Sequence, residues 1–147
     1  MTIKTETVSI LMAEDDPEDQ MLMREALEES DISYDLTIVN DGEELVDYLN
    51  QRGEYKDTIL PGIVLLDLNM PRKNGQEALA EIKADPNLRR IPIVVLTTSD
   101  AEDDIQTTYD MGISSYICKP VTFSKLVELV NTLGHYWFEL VELPATI

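Results

Sequence analysis

The strongest constraint on this chain is the way its short apolar runs stop at polar residues. Ile63 to Leu66 is wholly aliphatic and ends at Asp67. Val8 to Ala13 ends at Glu14-Asp15-Asp16-Pro17, and Tyr34 to Val39 ends at Asn40-Asp41-Gly42. Ile91 to Leu96 ends at Thr97-Thr98-Ser99-Asp100, and Ser115 to Cys118 ends at Lys119-Pro120. Runs of four to six residues bounded by turn and charge signals read as β-strands rather than helices.

Between them the apolar residues recur at helical spacing. Met21, Leu22, Ala26 and Leu27 follow Pro17, which suits the first position of a helix. Leu45, Val46 and Leu49 mark a second helix, and Ala78, Leu79 and Ile82 a third, preceded by Gly75 and ended before Asp85-Pro86. A fourth closes at Met111-Gly112, where the glycine suits a left-handed C-cap. The last begins near Thr122. Apolar strands alternating strictly with helices imply a parallel sheet covered on both faces, with right-handed crossovers. The longest polar connection, Gly53 to Gly62, is expected to be the mobile loop.

The length of 147 residues suits one domain, 1–147, and 44% hydrophobic residues suffice for a real core. With 29 acidic and 11 basic residues the net charge is −18, a surface that repels nucleic-acid phosphates and anionic membranes. No stretch reaches the roughly 18 apolar residues of a membrane span. Met1 to Thr7 does not resemble a secretory signal, and Cys118, the single cysteine, excludes an internal disulfide. The expectation is a cytoplasmic protein with Cys118 as a small core residue.

In an open parallel α/β sheet, ligands bind outside the carboxyl ends of the strands. Those ends carry Glu14, Asp15 and Asp16, then Asp67, then Thr97 and Thr98, then Lys119. Singly each has an ordinary reading: a helix-start acid, a turn residue, a strand-end threonine, a surface lysine. Together they form a site. Carboxylates crowded side by side repel one another unless a counter-charge is present. Mg²⁺ suits such oxygens and also binds phosphate. Asp67 is then a carboxylate nucleophile beside a metal, and the Lys119 ammonium neutralises charge on a transferring phosphoryl group.

At these residues the chain resembles the receiver domains of two-component response regulators. The segments are Ile10-Leu11-Met12-Ala13-Glu14-Asp15-Asp16-Pro17, Leu65-Leu66-Asp67-Leu68-Asn69-Met70-Pro71, Ile93-Val94-Val95-Leu96-Thr97-Thr98 and Tyr116-Ile117-Cys118-Lys119-Pro120. The likeness runs from about Val8 to Leu133. It implies a flavodoxin-like (βα)5 fold of three layers with strand order 2-1-3-4-5. It implies Asp67 as phosphoacceptor, Asp15 as direct metal ligand, Glu14 acting through water, and the Asn69 backbone carbonyl completing an Mg²⁺ site. Thr97 and Tyr116 resemble the switch pair, and Lys119 the lysine that contacts the phosphoryl group. Lys119-Pro120 resembles the family's cis peptide. A sensor histidine kinase is the implied partner.

Asp16 and Thr98 depart from the family's usual residues. Asp16 either tightens the metal site or is solvated, and Thr98 restricts access to the phosphoryl group. Beyond Leu133, His135-Tyr136-Trp137-Phe138-Glu139-Leu140-Val141-Glu142-Leu143-Pro144 resembles the ending of phytochrome-associated single-domain response regulators. Aromatics spread around a helix suggest a second buried face. Tyr136, Trp137, Phe138, Leu140 and Val141 are therefore expected at a homodimer interface, the alternative being a tail folded over its own domain. His135 reads as a surface or interface residue. The output is expected to be a contact with an unidentified downstream protein. One rival is a scaffold without phosphotransfer, though Asp67, Asp15 and Lys119 are all present. Another is an aspartate-nucleophile phosphohydrolase, which needs an acid two residues after the nucleophile, where Asn69 stands.

Overall fold

The structure is a computed structural model that describes residues 7–140, without the side chains of Val8, Phe138, Glu139 and Leu140. In chain order it runs β1 (Val8–Ala13), α1 (Pro17–Glu29), β2 (Tyr34–Val39), α2 (Gly42–Leu49), β3 (Ile63–Leu66), α3 (Gly75–Ala84), β4 (Ile93–Thr97), α4 (Glu102–Asp110), β5 (Ser115–Cys118) and α5 (Phe123–Gly134). The chain continues from α5 through a π-helical segment, His135–Leu140.

All strand pairs are parallel, in the order β2-β1-β3-β4-β5. The alternation of side chains along each central strand builds two cores. Leu11, Ala13, Val64, Leu66, Ile93 and Val95 face α2 and α3, packing with Leu45, Val46, Leu49, Ala78, Leu79 and Ile82. Ile10, Met12, Ile63, Leu65, Val94 and Leu96 face α1 and α5, packing with Met23, Ala26, Leu27 and Val130. Both faces are covered, so β3 and β4 are buried at every residue and need the unbroken aliphatic runs seen in the sequence.

Local signals set the helix starts. Asp16 caps α1 by accepting from the Glu18 N–H, with Pro17 next. Asp16, left open between metal and solvent, thus has a third task. Asp41 caps α2 through the Glu44 N–H, and Asn74 with Glu77 forms a capping box on α3. Gly112, at φ +102, closes α4.

Four details differ from the sequence reading. β4 starts at Ile93 rather than Ile91 and includes Thr97; Pro92 has no N–H for the ladder, though its carbonyl accepts from Val64. Cys118 is exposed, because it ends the short edge strand β5. No cis peptide bond occurs among the described residues, so Lys119–Pro120 is trans; the two isomers of an X–Pro bond differ by only about 0.5–1 kcal/mol, too little for sequence to fix the choice. The Gly53 to Gly62 connection is built rather than loose. It carries a 3-10 turn at Gly53–Tyr55, the Tyr48 and Tyr55 rings pack 5.2 Å apart, and the Gly62 N–H donates to Ser9 O.

Candidate functional site

β1, β3, β4 and β5 end side by side, which brings the residues at or just past those ends, Glu14, Asp67, Thr97 and Lys119, to one edge. Asp67 follows β3. Its N–H donates to Ala13 O at 3.1 Å, which ties it to the end of β1. Gly75 opens α3 against it: a Cβ there would lie 2.5 Å from Asp67 O and 2.7 Å from Leu68 Cα, so only glycine lets the helix begin this close. The intervening loop is pinned from α2. Gly42 N–H donates to Lys73 O at 2.8 Å, and Arg72 Nε to Asp41 Oδ2 at 2.9 Å. The sequence reading took Asn40-Asp41-Gly42 for a turn alone and missed this clamp.

The carboxylate of Asp67 is buried and divided between two networks. Oδ1 accepts from Thr97 Oγ1 at 2.8 Å and from the Asn69 N–H at 3.3 Å. Oδ2 accepts from Lys119 Nζ at 3.5 Å. The same ammonium donates to Glu14 Oε1 at 2.5 Å and to Asp19 Oδ2 at 2.7 Å. Three carboxylates thus share one lysine.

The electrostatics follow from burial. Glu14 is fully buried. Loss of solvent pushes its carboxyl from the usual 4.5 up to about 7, against the opposing pull of Lys119. For Lys119, burial works to lower the affinity for its proton, but hydrogen bonds to Asp19 and Glu14 more than offset it, so the net shift is upward. The ammonium is therefore secure, and the carboxylates are the groups short of counter-charge.

Glu14, Asp15 and Asp67 each offer a carboxylate oxygen, and these atoms lie within 4.8 Å of one another. Hard oxygen donors, too many for one ammonium, fit a hard divalent cation, and exposed Asp15 leaves room for the waters that Mg²⁺ retains. Asn69 is adjacent and exposed.

Thr97 is fully buried, whereas Thr98 is exposed. Tyr116 stands one strand over, half-buried against the α2–α3 core. Its hydroxyl donates to Ser99 O at 2.8 Å, and its N–H donates to Tyr109 Oη at 3.1 Å. Trp137 packs on the α1–α5 core, beside Tyr136, which is 52% exposed. His135 Nε2 lies 3.7 Å from Asp31 Oδ1. The side chains of Phe138 and Leu140, and all of Val141, fall outside the described residues.

Asp19 is the site residue that sequence reasoning missed. A helix starting at Pro17, directly after β1, brings its first turn to the same edge, so the signal was present in the spacing.

The response regulator receiver domain model matches residues 10–131. The chain belongs to that family. It is 43% identical to the response regulator Rcp1 of Synechocystis sp. over 136 residues, 92% of each chain. The structure of the phosphorylated cyanobacterial phytochrome response regulator RcpA superposes with a TM-score of 0.90 at 43% identity, covering 95% of this chain and 100% of RcpA. The Mn²⁺-bound form of Rcp1 superposes at 0.87, also at 43% identity, over 94% of this chain and 99% of Rcp1. Strand order and helix placement agree with the flavodoxin-like expectation.

Proposed function

We propose that this receiver is a cytoplasmic phosphorylation switch that takes a phosphoryl group on Asp67 from a sensor histidine kinase of the phytochrome type and signals through protein contacts. The observation that carries this reading is the convergence of Asp67, Thr97 and Lys119 within hydrogen-bonding distance beside the Glu14–Asp15–Asp67 cluster. In transfer, an oxygen of Asp67 attacks phosphorus. The bond from phosphorus to the donor's imidazole nitrogen breaks, and its electron pair stays on that nitrogen. Glu14, Asp15, Asp67 and the Asn69 carbonyl would hold Mg²⁺, whose charge would offset that of the phosphoryl oxygens. Lys119 supplies a second positive charge at that edge. Thr97 already donates to Asp67 and would follow the added group, while Tyr116 reports the change to the β4–α4 loop through Ser99.

The phytochrome assignment rests on the likeness to RcpA across nearly the whole chain. Homodimerisation through α5 and the segment after it belongs to the same reading, supported by the exposed Tyr136 ring. Among the described residues no helix is long and apolar enough to cross a membrane.

The test is labelling by acetyl phosphate with Mg²⁺, with EDTA, and in Asp67→Asn. Label confined to wild type with metal is expected. Label that persists in the variant or ignores chelation defeats the assignment.

A further inference from the structure

Lys119 carries three protons on its ammonium and meets three carboxylates, so every donor is in use. The three partners are not equivalent. Asp67 is the group that changes chemically under the reading above. Glu14 belongs to the acidic cluster that a cation would share. Asp19 belongs to neither. It sits in the first turn of α1, on a helix start fixed by the Asp16 cap and Pro17. Its oxygen lies 2.7 Å from Nζ, nearer than that of Asp67 at 3.5 Å. It is also the partner most open to solvent, with a side chain 31% exposed against 1% for Glu14. A carboxylate there is held mainly by this one ammonium.

We infer that Asp19 is a positioning residue for Lys119, anchoring the ammonium at the phosphoryl edge independently of the two carboxylates that metal and phosphoryl group engage. The inference rests on Asp67 being the phosphoacceptor. A lysine's flexible four-carbon stem has rotamer freedom to lose, and a fixed partner removes that freedom in advance. Lys119 also bonds β4 through its N–H to Thr97 O at 2.8 Å, so its backbone is set by the sheet and only the side chain needs an anchor. Asp19 thereby ties α1 to the connection between β5 and α5, and both it and Lys119 line a small cavity of about 90 Å³ together with Met12, Leu22, Leu96 and Phe123.

The experiment uses the full chain with Mg²⁺ and acetyl phosphate as donor. Asp19→Ala is expected to slow labelling of Asp67 about tenfold, the loss of one charged hydrogen bond, with Asp19→Asn in between. In a Lys119→Met background the same substitution should change nothing. The second readout needs no phosphotransfer. The ¹⁵N-NMR signal of the Lys119 ammonium, visible when hydrogen bonds slow its exchange with water, should be present in wild type with Mg²⁺ and lost in Asp19→Ala. A signal that survives Asp19→Ala, or equal slowing with and without Lys119, overturns the inference. If wild type takes no label on Asp67, the phosphoacceptor reading fails by itself, and the ammonium signal still decides whether Asp19 anchors Lys119.

Discussion

Replacing Lys119 by Met keeps the length of the side chain and removes the one cation that the described residues place at the site. Glu14 has a 1% exposed side chain, and its Oε1 lies 2.5 Å from that ammonium. Breaking a buried pair by deleting one partner costs about 3–5 kcal/mol, because the remaining charge is left uncompensated. Glu14 can escape by taking up a proton, so the lower end, about 3 kcal/mol, is the expected penalty in metal-free buffer above neutral pH. For a domain of this size that corresponds to a fall in Tm of about 10 °C. The pH dependence carries the sign. Burial raises the folded carboxyl of Glu14 to about 7, above its value in the unfolded chain. Its stabilising contribution is complete below the unfolded value and is lost as pH rises through the folded one. Without the ammonium the folded value climbs further, so the gap between variant and wild type opens above neutral pH. Below it the gap narrows toward about 1 kcal/mol, that of a neutral hydrogen bond. Millimolar Mg²⁺ should restore much of the loss by binding only the folded state. Urea melts across this pH range, with EDTA and with Mg²⁺, measure all three effects. A variant as stable as wild type in EDTA at alkaline pH, or a deficit independent of pH, refutes the account of Glu14 and Lys119 as a buried pair.

Gly75→Ala should lose about 2 kcal/mol, because its Cβ has no room beside Asp67 O and the backbone must shift; a melting curve and labelling rate equal to wild type would show that α3 can back away at no cost. Truncation after Gly134 should convert a homodimer to a monomer in light scattering at micromolar concentration. With a net charge of −18, dimerisation of the full chain should strengthen as salt screens repulsion; a full chain that stays monomeric at high salt, with and without a phosphoryl mimic, rules the dimer out.

The fold was legible because two signals coincide at each element. β3 reads as a strand from Ile63-Val64-Leu65-Leu66 and is buried on both faces as that run requires. α1 reads as a helix from its spacing, and Pro17 marks its start. The site was legible where residues stand at strand ends, since topology alone brings Glu14, Asp67, Thr97 and Lys119 together. It was not legible where a contact depends on helix orientation. Asp19 and the Arg72–Asp41 clamp both join an ordinary-looking charge to an element distant in sequence. Cys118 misled for a related reason: an apolar run says that a strand exists, but not that its last residue lies at the sheet's edge.

The division of Asp67 between two networks bears on how one covalent event can be felt in two directions. Oδ1 faces Thr97, and from there the path runs through the β4–α4 loop, where Ser99 accepts from Tyr116 and its own hydroxyl donates to Asp104 Oδ2 at 2.6 Å. Asp104 in turn accepts from Gln76 on α3 at 2.8 Å. Oδ2 faces Lys119, and from there the contacts lead to Asp19 on α1 and to Glu14 at the end of β1. A phosphoryl group on either oxygen changes the acceptor seen by both Thr97 and Lys119. Lys119 cannot follow it without altering its bonds to Glu14 and Asp19. One helix on each face of the sheet, α3 and α1, is therefore connected to the same carboxylate. Such coupling would need no long wire of contacts, only a donor that can redistribute among its partners, as Lys119 can among Glu14, Asp19 and Asp67.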